Sequence, residues 1–134
     1  MPNNTKNIIY LIDDDETHLV TAELFLKDEY EIRKAISGQE ALDCMSNHEF
    51  MPSIILLDIL MPKMDGYEIF IRIKAISTLH DIPVAFYSSL NEDSEKKHAM
   101  ALGAADYIEK PFIRNDLINR IELILKEKIT TEAV

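Results

Sequence analysis

The sequence contains a single cysteine, Cys44, so it can close no disulfide within itself and cannot build a cysteine-rich zinc site; a lone thiol suits a reducing compartment. Basic residues are also scarce. Fourteen Lys and Arg stand against 24 Asp and Glu, a formal net charge of −10 and a pI near 4.8. That balance argues against direct binding of nucleic acid or an anionic membrane, both of which need a basic surface. Nothing approaches the roughly 18 uncharged apolar residues of a membrane span. The amino end, Met1-Pro2-Asn3-Asn4, has no signal-peptide core. Internal repeats, linkers and low-complexity segments are missing as well. These absences predict a cytoplasmic protein with no nucleic-acid or membrane partner. What is present is a 134-residue chain, 47% hydrophobic, the size and composition of one globular domain.

The apolar residues come in short runs. Ile54-Ile55-Leu56-Leu57 ends abruptly in Asp58, with Pro52 before it and Met61-Pro62 after it. The space between the breakers is too short for an ordinary helix, and an unbroken aliphatic run is what a strand buried on both faces looks like. Ile8-Ile9-Tyr10-Leu11-Ile12 is a second such run and also ends in acid, Asp13-Asp14-Asp15-Glu16. Tyr30 to Ala35 alternates as an outer strand would, Ile82 to Tyr87 forms a fourth strand leading into Ser88-Ser89, and Ala104 to Glu109 a fifth, followed by Lys110-Pro111.

Helical patterns lie between the runs. Val20 and Leu24 sit one turn apart in the first, and Ser37 with Glu40 makes a capping box for a second carrying Ala41, Leu42 and Met45. Ile69, Ile73 and Ile76 stripe a third. A fourth, capped by Asn91 and ended by Gly103, has little beyond Ala99 and Leu102 to hold it. Leu117, Ile121 and Ile124 pattern a fifth, beyond which the chain is expected to fray from about Lys126. Strands alternating with helices predict right-handed crossovers and a parallel sheet covered on both faces.

In such a sheet the carboxyl ends of the strands share one edge, where open α/β folds bind ligands. Asp13 and Asp14 come there from the first strand, Asp58 from the third, Ser88 from the fourth and Lys110 from the fifth. Singly, each has an ordinary explanation as a helix start, a strand-end turn or a surface residue. Jointly, three carboxylates would repel one another in a partly desolvated cleft unless a hard cation sat among them, and an all-oxygen donor set suits Mg²⁺. A lysine and a hydroxyl supply donors for phosphoryl oxygens, so the expected chemistry is attack by Asp58 on phosphorus to give an acyl phosphate.

These residues carry a family resemblance over about 6–126. Ile12-Asp13-Asp14, then Leu57-Asp58 through Met61-Pro62-Lys63-Met64-Asp65-Gly66, Pro83-Val84 leading to Ser88, and Gly103-Ala104-Ala105-Asp106-Tyr107-Ile108-Glu109-Lys110-Pro111-Phe112 together resemble a response regulator receiver domain of the CheY type. The resemblance implies a doubly wound five-stranded sheet with five helices in strand order 2-1-3-4-5, a short tail over 127–134 and no output domain. It implies Asp58 as phosphoacceptor, and Asp14 and Asp58 as metal ligands, with Asp13 close by or joined through water and the backbone carbonyl of Leu60 completing the shell. It further implies a phosphate contact from Lys110, a cis Lys110-Pro111 bond, and a switch in which the Ser88 hydroxyl moves to the phosphoryl group while Tyr107 turns inward. Ser89 departs from the family's usual alanine.

The implied partners are a sensor histidine kinase or histidine phosphotransfer protein, and a downstream protein meeting the 91–126 face. Homodimerisation through that face, with Asp106 and Arg120 as ion-pair candidates, stays open. Leu60 and Leu90, two residues beyond the phosphoacceptor and the switch hydroxyl, cannot hold a hydrolytic water, which predicts a long-lived acyl phosphate. The protein would be no enzyme beyond its own phosphorylation and dephosphorylation. A rival reading, an aspartate-nucleophile phosphatase of the haloacid dehalogenase type, would need its nucleophile on the first strand and further segments to gather substrate. A flavodoxin-like cofactor carrier would need a Ser/Thr/Gly-rich phosphate loop where four acids stand.

Overall fold

A computed structural model describes residues 6–133 of the chain, with side chains for 6–127; residues 1–4, read above for a signal peptide, and Val134 of the expected tail lie outside the described residues. Five strands, β1 (Ile8–Ile12), β2 (Glu31–Ala35), β3 (Ile54–Leu57), β4 (Val84–Ser88) and β5 (Asp106–Glu109), alternate with five helices, α1 (Glu16–Leu26), α2 (Gly38–Ser46), α3 (Gly66–Ala75), α4 (Asp93–Leu102) and α5 (Arg114–Ala133). All the strands pair in parallel, in the order β2-β1-β3-β4-β5.

The aliphatic runs explain this layering. Side chains alternate across a strand, so Ile55 and Leu57 of β3 join one core with Tyr10, Ile12, Val84 and Phe86, covered by α2, α3 and α4. Ile54 and Leu56 join the other with Ile9, Leu11, Ala85 and Tyr87, covered by α1 and α5. Every β3 side chain is fully buried, and each such aliphatic contributes roughly 1.5 to 3 kcal/mol from burial. β2, at the sheet edge, exposes both Arg33 and Lys34, consecutive residues on opposite faces, so its burial follows its edge position and not the alternation expected of it.

The helix starts follow local chemistry. Asp15 caps α1 by accepting from the backbone of Thr17 at 2.9 Å and His18 at 3.4 Å, Ser37 caps α2 through Glu40 N at 3.1 Å, and Asp65 caps α3 through Glu68 N at 3.0 Å. Each such cap is worth about 1 kcal/mol.

Four further sequence expectations are corrected. α1 turns Leu19, Ala22 and Leu26 inward; Val20 and Leu24 are 50% and 56% exposed, because in a helix apolar on most sides the sheet contact sets the phase. Asn91 does not cap α4: the helix starts after Glu92, without a side-chain cap bond. Leu102 is exposed, leaving Ala99 as the one buried residue of α4. The frayed tail is helical backbone, since α5 runs on to Ala133. Gly103 does end α4, at φ 105°.

Gly66 fixes how closely α3 approaches the sheet. A Cβ built there would lie 2.3 Å from the Asp58 carbonyl oxygen and 2.8 Å from Ile59 Cα, and the Gly66 amide donates to the Ile59 carbonyl at 2.9 Å. Only hydrogen fits between the helix start and the Asp58 peptide. Gly66→Ala is therefore expected to cost about 1 to 3 kcal/mol in urea unfolding, as overpacking against backbone does. Gly103→Ala meets no atom within 4 Å and carries only its φ penalty, on the order of 1 kcal/mol. A Gly66→Ala protein as stable as the parent would refute this account.

Candidate functional site

Three of the site residues hang on the last carbonyl of a neighbouring strand. Asp13 N donates to Ala35 O at 3.1 Å, Asp58 N to Ile12 O at 2.9 Å, and Lys110 N to Ser88 O at 2.8 Å. The ladder hydrogen bonds thus bring groups far apart in sequence to one edge. Asp13 and Ser88 are wholly buried, Asp58 nearly so, and Asp14 stands exposed at the rim.

Lys110 reaches into the middle. Its Nζ lies 2.7 Å from Asp13 Oδ2 and 3.5 Å from Asp58 Oδ1, with the side chain almost entirely buried. The Tyr87 ring lies beneath it, 4.4 Å from Nζ to the centroid, a cation–π contact in a desolvated setting. Asp13 Oδ1 also accepts from Asp15 N at 3.0 Å, and Asp58 Oδ1 from Ile59 N at 2.9 Å.

The two buried carboxyls respond in opposite directions. Burial alone would raise Asp13, but the Lys110 hydrogen bond and charge and the Asp15 amide outweigh it and hold the carboxyl below its ordinary value. Asp58 is pushed up to about 6, chiefly by burial and then by the neighbouring Asp13 charge, with Lys110 opposing incompletely. Burial, then the Asp13 charge, also drives the Tyr87 hydroxyl well above its ordinary range. Among the described residues that hydroxyl makes no hydrogen bond, and of the charges acting on it that of Asp13 has the largest effect.

One lysine therefore leaves negative charge uncompensated. Asp13, Asp14 and Asp58 each offer a carboxylate oxygen within 4.8 Å of the others. This oxygen-only cluster, with one member on the rim, fits a hard divalent cation such as Mg²⁺. Leu60, whose carbonyl was expected to join them, lies in the loop just past Asp58 with its side chain exposed.

Ser88 and Tyr107 meet on the opposite flank. Ser88 Oγ accepts from Leu90 N at 3.2 Å, and Tyr107 is already turned inward, its hydroxyl donating to Leu90 O at 2.6 Å. The Lys110-Pro111 peptide is cis, as the resemblance implied. Asp106 and Arg120, candidate ion-pair members should the chain self-associate, pair with each other within it at 2.8 Å, and Arg120 also holds Asp116 at 2.9 Å.

Two participants were missed in the sequence, Tyr87 and His18. His18 Nδ1 lies 2.9 Å from Lys110 Nζ and 3.4 Å from Asp13 Oδ2. Its place three residues past the capping Asp15 was the available signal, since the first turn of α1 starts at the acid cluster. With Thr21, Ser89, Lys110, Pro111 and Phe112 it lines a cleft of about 310 Å³ beside the carboxylates, so Ser89 stands on the cleft wall.

A family model for the response regulator receiver domain matches residues 9–122. The transcriptional regulatory protein CrdR of Helicobacter pylori is 36% identical over 115 residues, covering 85% of this chain and 53% of that protein. The response regulator GtcR of Aneurinibacillus migulanus is 35% identical over 118 residues, covering 87% of this chain and 47% of its own. The chain thus spans about half the length of the curated relatives it matches. Among solved structures, a CheY-like response regulator receiver domain protein from Methanospirillum hungatei superimposes with a TM-score of 0.82 at 26% identity, covering 95% of this chain and 99% of that one. Among the described residues no helix is long and apolar enough to cross a membrane.

The Asp58 shift has a consequence for stability. A folded value of about 6 above the ordinary 3.8 means the folded protein holds this proton more tightly than the unfolded chain. The stabilisation is fully present below about pH 3.8 and is lost as pH rises through 6. Without divalent cation, Asp58→Asn should therefore be more stable than the parent by about 2 to 3 kcal/mol at pH 7, with a much smaller gap at pH 4. Urea unfolding at both pH values measures the difference; a gap that does not widen with pH would contradict the assignment.

Proposed function

Because the chain belongs to the response regulator receiver domain family of two-component systems, we propose that Asp58 accepts a phosphoryl group in a Mg²⁺-dependent reaction and that 6–126 is the signalling unit. The observation that carries this reading is the pairing of two buried carboxylates, Asp13 and Asp58, around a single buried ammonium, Lys110. That arrangement retains negative charge in a place suited to a cation and leaves Asp58 only loosely held by the lysine. Asp13, Asp14, Asp58 and the Leu60 carbonyl would hold Mg²⁺, which when bound neutralises charge on the transferring phosphoryl oxygens.

An Asp58 carboxylate oxygen forms the new bond to phosphorus as the bond from phosphorus to the donor's nitrogen or oxygen breaks, and the electron pair leaves with the donor. Lys110 offers an N–H to the phosphoryl oxygens, and the Ser88 hydroxyl moves to another. The natural donor would be a histidine kinase or histidine phosphotransfer protein. A reducing cytoplasm suits the single thiol of Cys44.

Output would pass through the 91–126 face to a protein partner. α4 buries only Ala99, with further links from Glu95 and the His98 ring to Tyr67 and from Lys96 to Glu109, so a few kcal/mol of phosphoryl contacts would suffice to bias its position. Tyr107 is buried with its hydroxyl on the Leu90 carbonyl, so the switch would rest on movement of the Ser88 hydroxyl more than on a turn of this ring. A homodimer through this face would have to recruit or displace the internal Arg120 pairs.

Incubation with acetyl phosphate and Mg²⁺ should add one phosphoryl mass to the intact protein, and none to Asp58→Asn or in the presence of EDTA. Label on Asp58→Asn would refute the assignment. The aspartate-nucleophile phosphatase alternative would instead turn over p-nitrophenyl phosphate, which the receiver should not.

The lifetime of the acyl phosphate follows from its surroundings. The exposed Leu60 and half-buried Leu90 can shield the phosphoryl group but cannot orient water for in-line attack. The label should therefore outlast seconds by a wide margin, and Leu60→Asn with Leu90→Glu should shorten it about tenfold or more. Decay within seconds in the parent, or no acceleration in the double variant, would refute the explanation.

A further inference from the structure

We infer that His18 is a positioning residue for phosphoryl transfer: its Nδ1 fixes the Lys110 ammonium so that the N–H taken by neither Asp13 nor His18 is presented to Asp58. The inference rests on the reading of Asp58 as the phosphoacceptor and adds a residue to that reaction.

The argument begins with donor counting. An ammonium carries three N–H donors and no acceptor. Lys110 Nζ gives one to Asp13 Oδ2 at 2.7 Å, and a second ends at His18 Nδ1 at 2.9 Å, so that nitrogen must supply a lone pair. Its ring proton then belongs on Nε2, the atom that faces Asp15 Oδ2 at 3.6 Å. Asp58 Oδ1, at 3.5 Å, is the one other acceptor around Nζ among the described residues. The Tyr87 ring closes off the side below.

His18 is itself held. Asp15 accepts from both Thr17 N and His18 N, so the turn that carries the imidazole is tied to the residue that faces its far nitrogen. A lysine stem has four rotatable bonds, and with Asp13 as its sole anchor the ammonium could rotate and pivot. A second anchor on a different element removes that freedom before the phosphoryl group arrives, which is where orientation lowers a barrier. His18 side-chain exposure, 44%, and its place on a helix surface mean that replacing it disturbs no core packing.

Two variants separate positioning from packing. His18→Asn can return an acceptor oxygen near the Nδ1 position, whereas His18→Leu cannot. Phosphorylation by acetyl phosphate with saturating Mg²⁺ is followed by intact mass over a range of donor concentrations, with thermal melts confirming the fold. His18→Leu is expected to lower the rate at saturating donor about tenfold, leave the half-saturating donor concentration within about twofold, and be largely rescued in His18→Asn.

In ¹⁵N-histidine spectra at pH 8, His18 should carry its proton on Nε2, and Lys110→Met should shift its Nδ1 resonance while leaving those of His48, His80 and His98 in place. A labelled parent with an equally fast His18→Leu, an Asn variant as slow as Leu, or a proton on Nδ1 overturns the inference alone. A parent that takes no label at Asp58 overturns the phosphoacceptor reading, and this inference with it.

Discussion

Two carboxylates and one ammonium, all buried, form the constraint around which the chain is arranged. Neither acid is stable in a dry setting by itself. Lys110 resolves the conflict for Asp13, which it bonds at 2.7 Å, and only half resolves it for Asp58, which it approaches no closer than 3.5 Å. The asymmetry divides the roles: one acid becomes a fixed anchor and the other keeps an unmet demand for positive charge. The backbone hydrogen bonds that hang Asp13, Asp58 and Lys110 on the ends of β2, β1 and β4 prevent the three from relaxing apart.

That arrangement needs rigid strands and tolerates mobile surroundings, and the burial pattern provides both. The central strands are aliphatic on each face and packed between two helical layers. α4, with one alanine inside, contributes little to the core and is held by contacts of Glu95 and His98 with Tyr67 and of Lys96 with Glu109. Tight packing and light attachment therefore reside in different parts of one small fold.

Much of this was legible in the sequence because strands buried on both faces leave continuous apolar runs, and their ends can be read without knowing the fold. Asp13, Asp58 and Ser88 fall at such ends, Lys110 follows the edge strand β5, and all four meet at one edge of the sheet. The phase of α1 was not legible, since Thr17 to Leu26 is apolar on too many sides for periodicity to choose between Leu19 and Val20; the neighbouring sheet and α5 made that choice. Nor were His18 and Tyr87. Their importance depends on meeting Lys110, which is 92 residues from His18, and neither lies at a strand end adjoining an acid. Asp106 and Arg120, open candidates for pairing across a homodimer, pair with each other within the chain, because β5 and α5 bring the two side chains together.

Gly66 adds a mechanical property to the site. Where most neighbours in a protein touch through side chains that can rotate or bend, the first turn of α3 rests on the peptide of Asp58 with nothing but hydrogen between them, and a hydrogen bond from Gly66 to Ile59 closes the joint. Such a joint has no soft spring. A displacement of the Asp58 peptide towards α3 cannot be absorbed by side-chain rotation at this joint, so the start of the helix has to move with the end of β3.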